Sequence, residues 1–221
     1  MTRLPNSILC AAVFLLSVED PGSHASAMRP QSIRTTELTT DLVAVNDLTV
    51  LTSQGEVRCP ALDRSSEPTD PAPTSGLPRL RQFVASKHFI ETSSSNAEIK
   101  ISWLGATFKQ RFLSKVEDDE GGAILRTFVL RRPSPDAEII AELGIRDETK
   151  LGDLWCLLSL QPNGESGTLV TNAVPNVFYI RDIDGNLGAV DAVWGGAGWE
   201  IGASSLDAPT QWLTGRRVIS R

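Results

Sequence analysis

The sequence predicts an α+β domain: a mostly antiparallel sheet with a C-terminal β-meander, two or three short helices packed on one side, and a disordered N-terminal segment. Residues 176–221 alternate apolar strands with Asp-Gly and Gly-rich turns. Short helical patterns of apolar residues come before them. Residues 28–77 are rich in Ser, Thr and Pro and contain no aromatic residue, which leaves little apolar surface to offset the entropy cost of ordering.

Residues 1–27 resemble a secretory signal peptide. Ile8–Val18 is an apolar run that follows Arg3, and the small residues Ala25–Ala27 come after it. This order is typical of an export signal, and the run is too short to cross a bilayer as a helix. The alternative is an apolar stretch within an unstructured N-terminus. The chain is accordingly secreted or periplasmic if this segment is a signal peptide, and cytoplasmic otherwise.

Residues 28–77 are predicted to be a low-order segment and linker in front of the folded domain. Within them, Asp41–Cys59 has apolar residues beside two turn sequences and predicts a weak hairpin. Residues 64–77 hold three Pro and one Gly, a composition typical of a linker. We therefore expect the globular α+β domain to span residues 78–221.

The first half of this domain is predicted to mix short strands with short helices. The strands are Phe83–Ile90, Ala97–Trp103 and Ala123–Leu130, and the helices are Ala106–Lys115, Pro135–Leu143 and a third that contains Leu151–Leu158. In the second strand apolar and polar residues alternate, which puts Trp103 on the apolar face. The helices follow from apolar residues three or four positions apart, with Ser134 and Pro135 as one start signal and Gly144 as its stop.

The C-terminal β-meander consists of three strands joined by two turns. The strands are Asn176–Asp182, Leu187–Trp194 and Trp199–Ser204. Asp184-Gly185 favours the first turn, and the sequence Gly-Gly-Ala-Gly at residues 195–198 favours the second. In this register Trp194 lies directly opposite Trp199.

Composition excludes several classes of function. The net charge is −6, and the basic residues form no stripe that would indicate nucleic acid or an anionic membrane. The three cysteines have no CxxC spacing and only two histidines are present, so neither a metal site nor a cofactor is predicted. Cys59 and Cys156 would remain as an even pair after signal cleavage, able to form a disulfide in an oxidising compartment and free in the cytosol.

The globular part of the sequence resembles an uncharacterised family of bacterial proteins. The resemblance covers residues 78–221 and rests on the strings LPRLRQFVASKHF, AEIKISWLGATFKQRFLSKVE, IIAELG, QPNGESGTLVTN, NVFYIRDIDGNLGAVDAVW and RRVISR. It implies one shared module behind a variable N-terminus, in a family whose members do not generally begin with an export signal. It implies no activity, ligand or catalytic residue.

Three tryptophans are the main candidates for ligand binding. Trp194 and Trp199 flank the Gly-rich turn as cross-strand neighbours, and Trp212 follows shortly after. An exposed aromatic platform surrounded by glycines can stack on a sugar ring or a base. The alternative is that these side chains cover the core of a small sheet, which the apolar Ala192 and Ile201 on the same face favour.

Two carboxylates are the only candidates for catalysis. Asp191 and Glu200 are predicted to share the sheet face opposite the Trp pair, as diagonal neighbours with backbones about 7–8 Å apart. That separation suits an acid–base pair acting on a glycan. The alternative is two acids on a solvated face. His88 is interpreted as a hydrogen-bonded structural histidine, and residues 182–186 as a hairpin turn, because they lack the Gly and Glu positions of a calcium loop.

We therefore expect a non-enzymatic binding or interaction module that uses the aromatic, Gly-rich hairpin and has a protein or carbohydrate partner. One alternative is a carboxylate-based hydrolase that acts on glycans through Asp191 and Glu200. Another is a structural or assembly protein whose sheet edges pair with neighbours. We expect no nucleic acid partner and no transmembrane segment.

Overall fold

The computed structural model describes residues 49–60, 82–92, 96–118, 122–144, 148–208 and 211–221. The predicted signal peptide and the linker at residues 64–77 lie outside these ranges. The strands are β1 (Leu51–Cys59), β2 (Gln82–Val84), β3 (Ile101–Leu104), β4 (Val116–Asp118), β5 (Ala123–Leu130), β6 (Ser134–Pro135), β7 (Asn176–Arg181), β8 (Leu187–Trp194), β9 (Trp199–Ser205), β10 (Gln211–Trp212) and β11 (Arg217–Ser220). The helices are α1 (Ala85–His88), α2 (Ala106–Arg111), α3 (Asp136–Leu143) and α4 (Leu151–Leu160).

Seven strands form one mixed sheet in the order β1-β5-β11-β7-β8-β9-β3. The pairs β11–β7 and β3–β9 are parallel, and the other neighbours are antiparallel. Two small sheets pair β2 with β4 and β6 with β10. The predicted α+β class, with a mostly antiparallel sheet and a C-terminal β-meander, is confirmed.

The two faces of the main sheet carry different layers of helix. Along β7, Phe178 and Ile180 belong to the larger core, which also contains residues of α1, α2 and α4. Val177 and Tyr179 belong to a smaller core together with Ile139 of α3. We call these the three-helix face and the α3 face. The three predicted helices are divided between the faces, with α2 and α4 on the first and α3 on the second, and α1 is an additional helix on the first.

Strand β1 lies within the segment that was expected to have low order, and here the structure differs from the expectation. It pairs with β5 along its length, so the folded domain includes residues before 78. Gln54-Gly55 does not reverse the chain: the register shifts there, and Gly55 has a φ of +142°. A β-bulge in an edge strand therefore replaces the second turn of the predicted hairpin.

Both ends of β1 are fixed to the rest of the domain. At its start, the backbone N–H groups of Val50 and Leu51 donate to the Glu142 carboxylate of α3, at 2.6 and 3.1 Å. At its end, Cys59 forms a disulfide with Cys156 of α4. The Cys59–Cys156 pairing that the sequence left open is thus present, and it joins segments 97 residues apart.

Other elements match the expected bounds to different degrees. Strand β5 and helix α3 lie as predicted, and α3 ends at Gly144, which has a φ of +91°. The expected strand Phe83–Ile90 is instead the short β2 followed by α1. The ring of His88 in α1 stacks on Phe83, with centroids 4.4 Å apart. Burial lowers the pKa of His88. Its ring packs on Phe83 and Trp155 as a structural residue would, but the ring forms no hydrogen bond with a described residue, so that part of the interpretation is not confirmed.

The edge of the sheet at β3 is covered. Thr92 N–H donates to the carbonyl of Ile101 at 2.9 Å. The N–H of Leu104 donates to a carboxylate oxygen of Glu91 at 2.6 Å. This edge therefore offers few free backbone groups to another chain.

Candidate functional site

The Trp pair adopts the register that the turn chemistry predicts. Trp194 is paired with Trp199, and their ring centroids lie 5.5 Å apart in an edge-to-face arrangement. Trp199 is fully buried, and its indole N–H donates to the carbonyl of Gln161 at 3.0 Å. Trp194 is half-buried, and a Cβ at Gly164 would lie 2.1 Å from its ring. The two rings therefore belong to the core of the three-helix face.

This placement corrects the idea of an exposed platform built on the Trp pair. Trp199 cannot contact a ligand in this conformation, because helix α4 and the loop after it cover the indole. The burial of Trp199 instead supports the alternative interpretation, in which its side chain covers the core of the sheet. The sequence could not decide between them, because the covering residues lie far away along the chain.

Trp212 lies on the α3 face, apart from the other two candidates. Its indole N–H and the Tyr179 hydroxyl both donate to Oδ1 of Asp136, each at 2.7 Å. Burial and the nearby Asp136 carboxylate raise the pKa of Tyr179. Trp212 thus closes a buried polar cluster, and the three candidate tryptophans do not form one surface.

The two carboxylates lie where the sequence places them. Asp191 is opposite Gly202, and Glu200 is opposite Val193, so both lie on the α3 face, which the Trp pair does not share. A Cβ at Gly202 would lie 2.6 Å from Oδ1 of Asp191. The hairpin β8–β9 is therefore apolar on one face and carries two acids on the other.

A fourth tryptophan completes this surface, and the sequence pattern did not reveal it. Trp103 was expected on the apolar face of its strand, but the register between β3 and β9 shifts between Ile101 and Trp103. This bulge places Trp103 beside Glu200, where the residue is 49% exposed. A Cβ at Gly105 would lie 2.9 Å from Cη2 of the Trp103 ring, so the ring rests on glycine backbone.

We call Trp103, Gly105, Asp191, Glu200 and Gly202 the hairpin patch. Its acids have few partners: apart from its own backbone N–H, Asp191 meets no hydrogen-bond donor or cation in the described part of the chain. Burial raises the pKa of Asp191. Glu200 is exposed and likewise forms no side-chain hydrogen bond or ion pair with a described residue. An exposed indole and two carboxylates open to a ligand thus lie on one surface.

A cavity away from the hairpin patch is structural in character. A cavity of about 40 Å³ lies beside the disulfide and the start of α4. Glu117 lines it, and its carboxylate accepts from the N–H groups of Leu151 and Gly152 at 3.1 and 3.0 Å. It also pairs with Lys115 at 2.8 Å. The Glu117 carboxylate therefore has its own hydrogen-bond partners and caps the free N–H groups at the start of α4.

The remaining motifs serve the fold. The Asp182 carboxylate accepts from the N–H groups of Asp184 and Asn186 and pairs with Arg111, so it stabilises the β7–β8 turn. Among the described residues, no group of three His, Cys, Asp or Glu side chains is arranged to hold a metal ion. In the same ranges no helix is both long and apolar enough to cross a membrane.

The half-buried charge at Asp191 predicts a pH-dependent cost in stability. Burial raises the pKa of Asp191 in the folded protein above its value in the unfolded chain. The protonated carboxyl therefore favours the folded state at low pH, and this contribution to stability is lost as pH rises through the folded pKa. Asp191→Asn is therefore expected to raise the melting temperature at pH 7, and the gain should vanish near about pH 3. Thermal unfolding at both pH values checks this, with Glu56→Gln on the exposed side of β1 as a control that changes nothing. A variant less stable than the wild type at pH 7 would mean that the ionised carboxylate is stabilised in the fold.

The comparisons with known proteins add no family to this description. The models of known families, the curated proteins and the solved structures each gave no match to the chain. Function therefore has to be argued from the site itself.

Proposed function

We propose that this protein is a non-enzymatic binding module whose ligand contacts the hairpin patch. The observation that carries the proposal is the half-exposed Trp103 ring beside two carboxylates that meet no cation in the described ranges. The Gly-rich hairpin remains the proposed binding element, as expected from the sequence. The contacting face is the one opposite the Trp pair.

The backbone of the hairpin patch supports close approach by a ligand. Gly105 and Gly202 lie side by side: a Cβ at Gly105 would be 3.5 Å from the Cα of Gly202. A larger residue at Gly105 would displace the Trp103 ring, and one at Gly202 would collide with Asp191. Glycines at such positions let a partner approach the strand backbone. The aromatic ring supplies contact area with little loss of rotamer freedom.

A ligand screen with Trp103→Ala tests this function. We expect at least one ligand class to change the tryptophan fluorescence of the wild-type protein, and Trp103→Ala to weaken that binding by about tenfold or more, as for a central aromatic contact. Ile183→Ala is the matched control, because Ile183 is 48% exposed and lies in the β7–β8 turn. It should leave binding unchanged.

Two results of that screen would contradict the proposal. One is binding that persists at wild-type affinity in Trp103→Ala while Ile183→Ala weakens it. The other is a lack of response to every ligand class by a wild-type protein shown to be folded from its thermal transition.

A glycan hydrolase is the second candidate, and one observation favours it. Burial raises the pKa of Asp191, as for a general acid, while its diagonal neighbour Glu200 is exposed to solvent. Such a pair can protonate a leaving group and activate water. Release of reducing ends from a glycan, lost in both Asp191→Asn and Glu200→Gln, would favour the hydrolase over the binding module.

The disulfide supports an oxidising location for the protein. Structural disulfides persist in secreted and periplasmic proteins and are rare in the cytosol. Cys59–Cys156 is such a bond, and the apolar run Ile8–Val18 has the layout of an export signal. N-terminal sequencing of the native protein should find a mature chain that begins after Ala27, whereas a chain retaining Met1 would contradict export.

A further inference from the structure

We infer that the group bound at the hairpin patch is a cation, an ammonium or a guanidinium, which rests on the Trp103 ring and is held by Asp191, while Glu200 adds to the negative charge of the same surface. This inference depends on the proposed function, because it names the ligand chemistry of the same surface.

The first support is the contrast with acids elsewhere in the described chain. Six of them pair with a basic side chain of this protein: Glu91 with Lys109, Glu117 with Lys115, Glu138 with Arg132, Glu148 with Arg181, Asp153 with Arg221, and Asp182 with Arg111. Asp191 and Glu200 have no such pair with a described residue, and neither do the exposed acids Glu56, Glu98, Asp118 and Asp184. Asp191 differs from these exposed acids because it is half-buried. The half-buried charge of Asp191 is therefore one that no described cation neutralises and that a cationic partner would complement.

The second support is the partial burial of Asp191. A buried carboxylate without a cation is unfavourable, because the protein replaces only part of its hydration. The raised pKa of Asp191 reflects that penalty. A bound cation would offset it, whereas a neutral hydroxyl group offers hydrogen bonds but no opposite charge. The buried acid therefore favours a cationic ligand over a neutral sugar.

The third support is the exposed indole. Tryptophan is the side chain with the strongest attraction for a cation above its ring. Trp103 is 49% exposed, and its ring lies against Gly105, which is next to Gly202. The Asp191 carboxylate lies against Gly202, so a cation over the ring is on the side of Asp191, whereas the Glu200 carboxylate lies against Gly195. Aromatic and carboxylate groups together form the usual recognition site for alkylammonium and guanidinium groups.

A matched pair of probes separates charge from shape. N-acetylarginine amide and N-acetylcitrulline amide have nearly the same size, but only the first is charged. In fluorescence titrations we expect the arginine probe to bind at least about tenfold more tightly than the citrulline probe. The Nα-acetyllysine amide, whose ε-ammonium group is charged, should also bind. Added salt should weaken the binding of both cationic probes.

Charge-removing variants locate the effect. Asp191→Asn should weaken binding of the arginine probe about tenfold, and Glu200→Gln should weaken it less. Both variants should leave binding of the citrulline probe unaffected. Glu56→Gln removes an exposed acid from β1 and should change neither. A short peptide with one arginine distinguishes the source of the cation. If the peptide binds more tightly than the N-acetylarginine amide, the partner is a polypeptide. If the two bind equally, the ligand is a small molecule.

The outcomes distinguish this inference from the proposed function. Equal binding of the two probes, or binding of a neutral glycoside that Trp103→Ala abolishes, would overturn the cationic ligand and leave the binding module standing. If no probe or glycoside binds a folded wild-type protein, both fail.

Discussion

Replacing Cys59 and Cys156 together with Ser is expected to lower the free energy of unfolding by about 4–5 kcal/mol, the chain-entropy value for a closed loop of about 100 residues. The bond joins residues 97 apart, and it fixes the end of the edge strand β1 to helix α4. In its absence, β1 is held by its pairing with β5 and by the Glu142 carboxylate. Chemical denaturation of the double variant gives the value directly.

The third cysteine provides the control for this experiment. In the full chain that retains residues 1–27, Cys10→Ser makes the same chemical change outside the disulfide and should leave the unfolding curve unchanged. Reduction of the wild-type protein should reproduce the loss seen in the double variant. Equal unfolding free energies for the oxidised protein and the double variant would contradict a role of the bond in stability.

Replacing Trp199 with Ala is expected to destabilise the protein by about 3–5 kcal/mol, the usual cost of removing a large buried aromatic side chain. The indole is fully buried between the sheet and α4. Its loss also leaves the Gln161 carbonyl without the donor that now lies 3.0 Å away. Trp199→Phe keeps part of the packing but loses this hydrogen bond, and should cost about 1–3 kcal/mol.

The same substitution at Trp103 is the control. Because Trp103 is 49% exposed, Trp103→Ala should cost much less than Trp199→Ala in equilibrium denaturation. Similar losses for the two variants would mean that Trp103 is part of the core, which would also remove it from the proposed binding surface. The comparison therefore bears on stability and on function.

The local elements of the fold were predictable from sequence. Asp-Gly and Gly-Gly-Ala-Gly set the two turns of the β-meander, and turn length fixes the register of a hairpin. The pairing of Trp194 with Trp199 and the position of Asp191 and Glu200 on the other face follow from that register. The stop signal of α3 at Gly144 was predictable for a similar reason. Its start was predicted one residue early, because Pro135 is the N-cap and Ser134 lies in β6 without capping the helix.

Elements that depend on distant contacts were not predictable in the same way. Strand β1 has mostly exposed side chains, so it lacks the apolar alternation of a strand, and only its ends are buried. What holds it is β5, Glu142 and the disulfide to α4, all far away along the chain. Burial of Trp199 likewise depends on α4, which the hairpin sequence does not contain.

The candidate site was half visible in the sequence. Its carboxylates followed from hairpin geometry, but Trp103 did not, because period-two alternation assigns it to the same face as Ile101. The register shift between these two residues turns Trp103 to the other face. One bulge therefore moved the exposed aromatic residue from the expected core to the surface that carries Asp191 and Glu200.

The most direct test of the hairpin patch is the amide and indole ¹⁵N spectrum during titration with N-acetylarginine amide. The chain has five tryptophans, so each indole N–H gives its own reporter. We predict that the signals of Trp103 and of the Gly202 amide shift progressively, while the indole of Trp199, hydrogen-bonded in the core, stays in place. Unchanged Trp103 and Gly202 signals at saturating probe, or shifts confined to another face of the sheet, would contradict recognition at this surface.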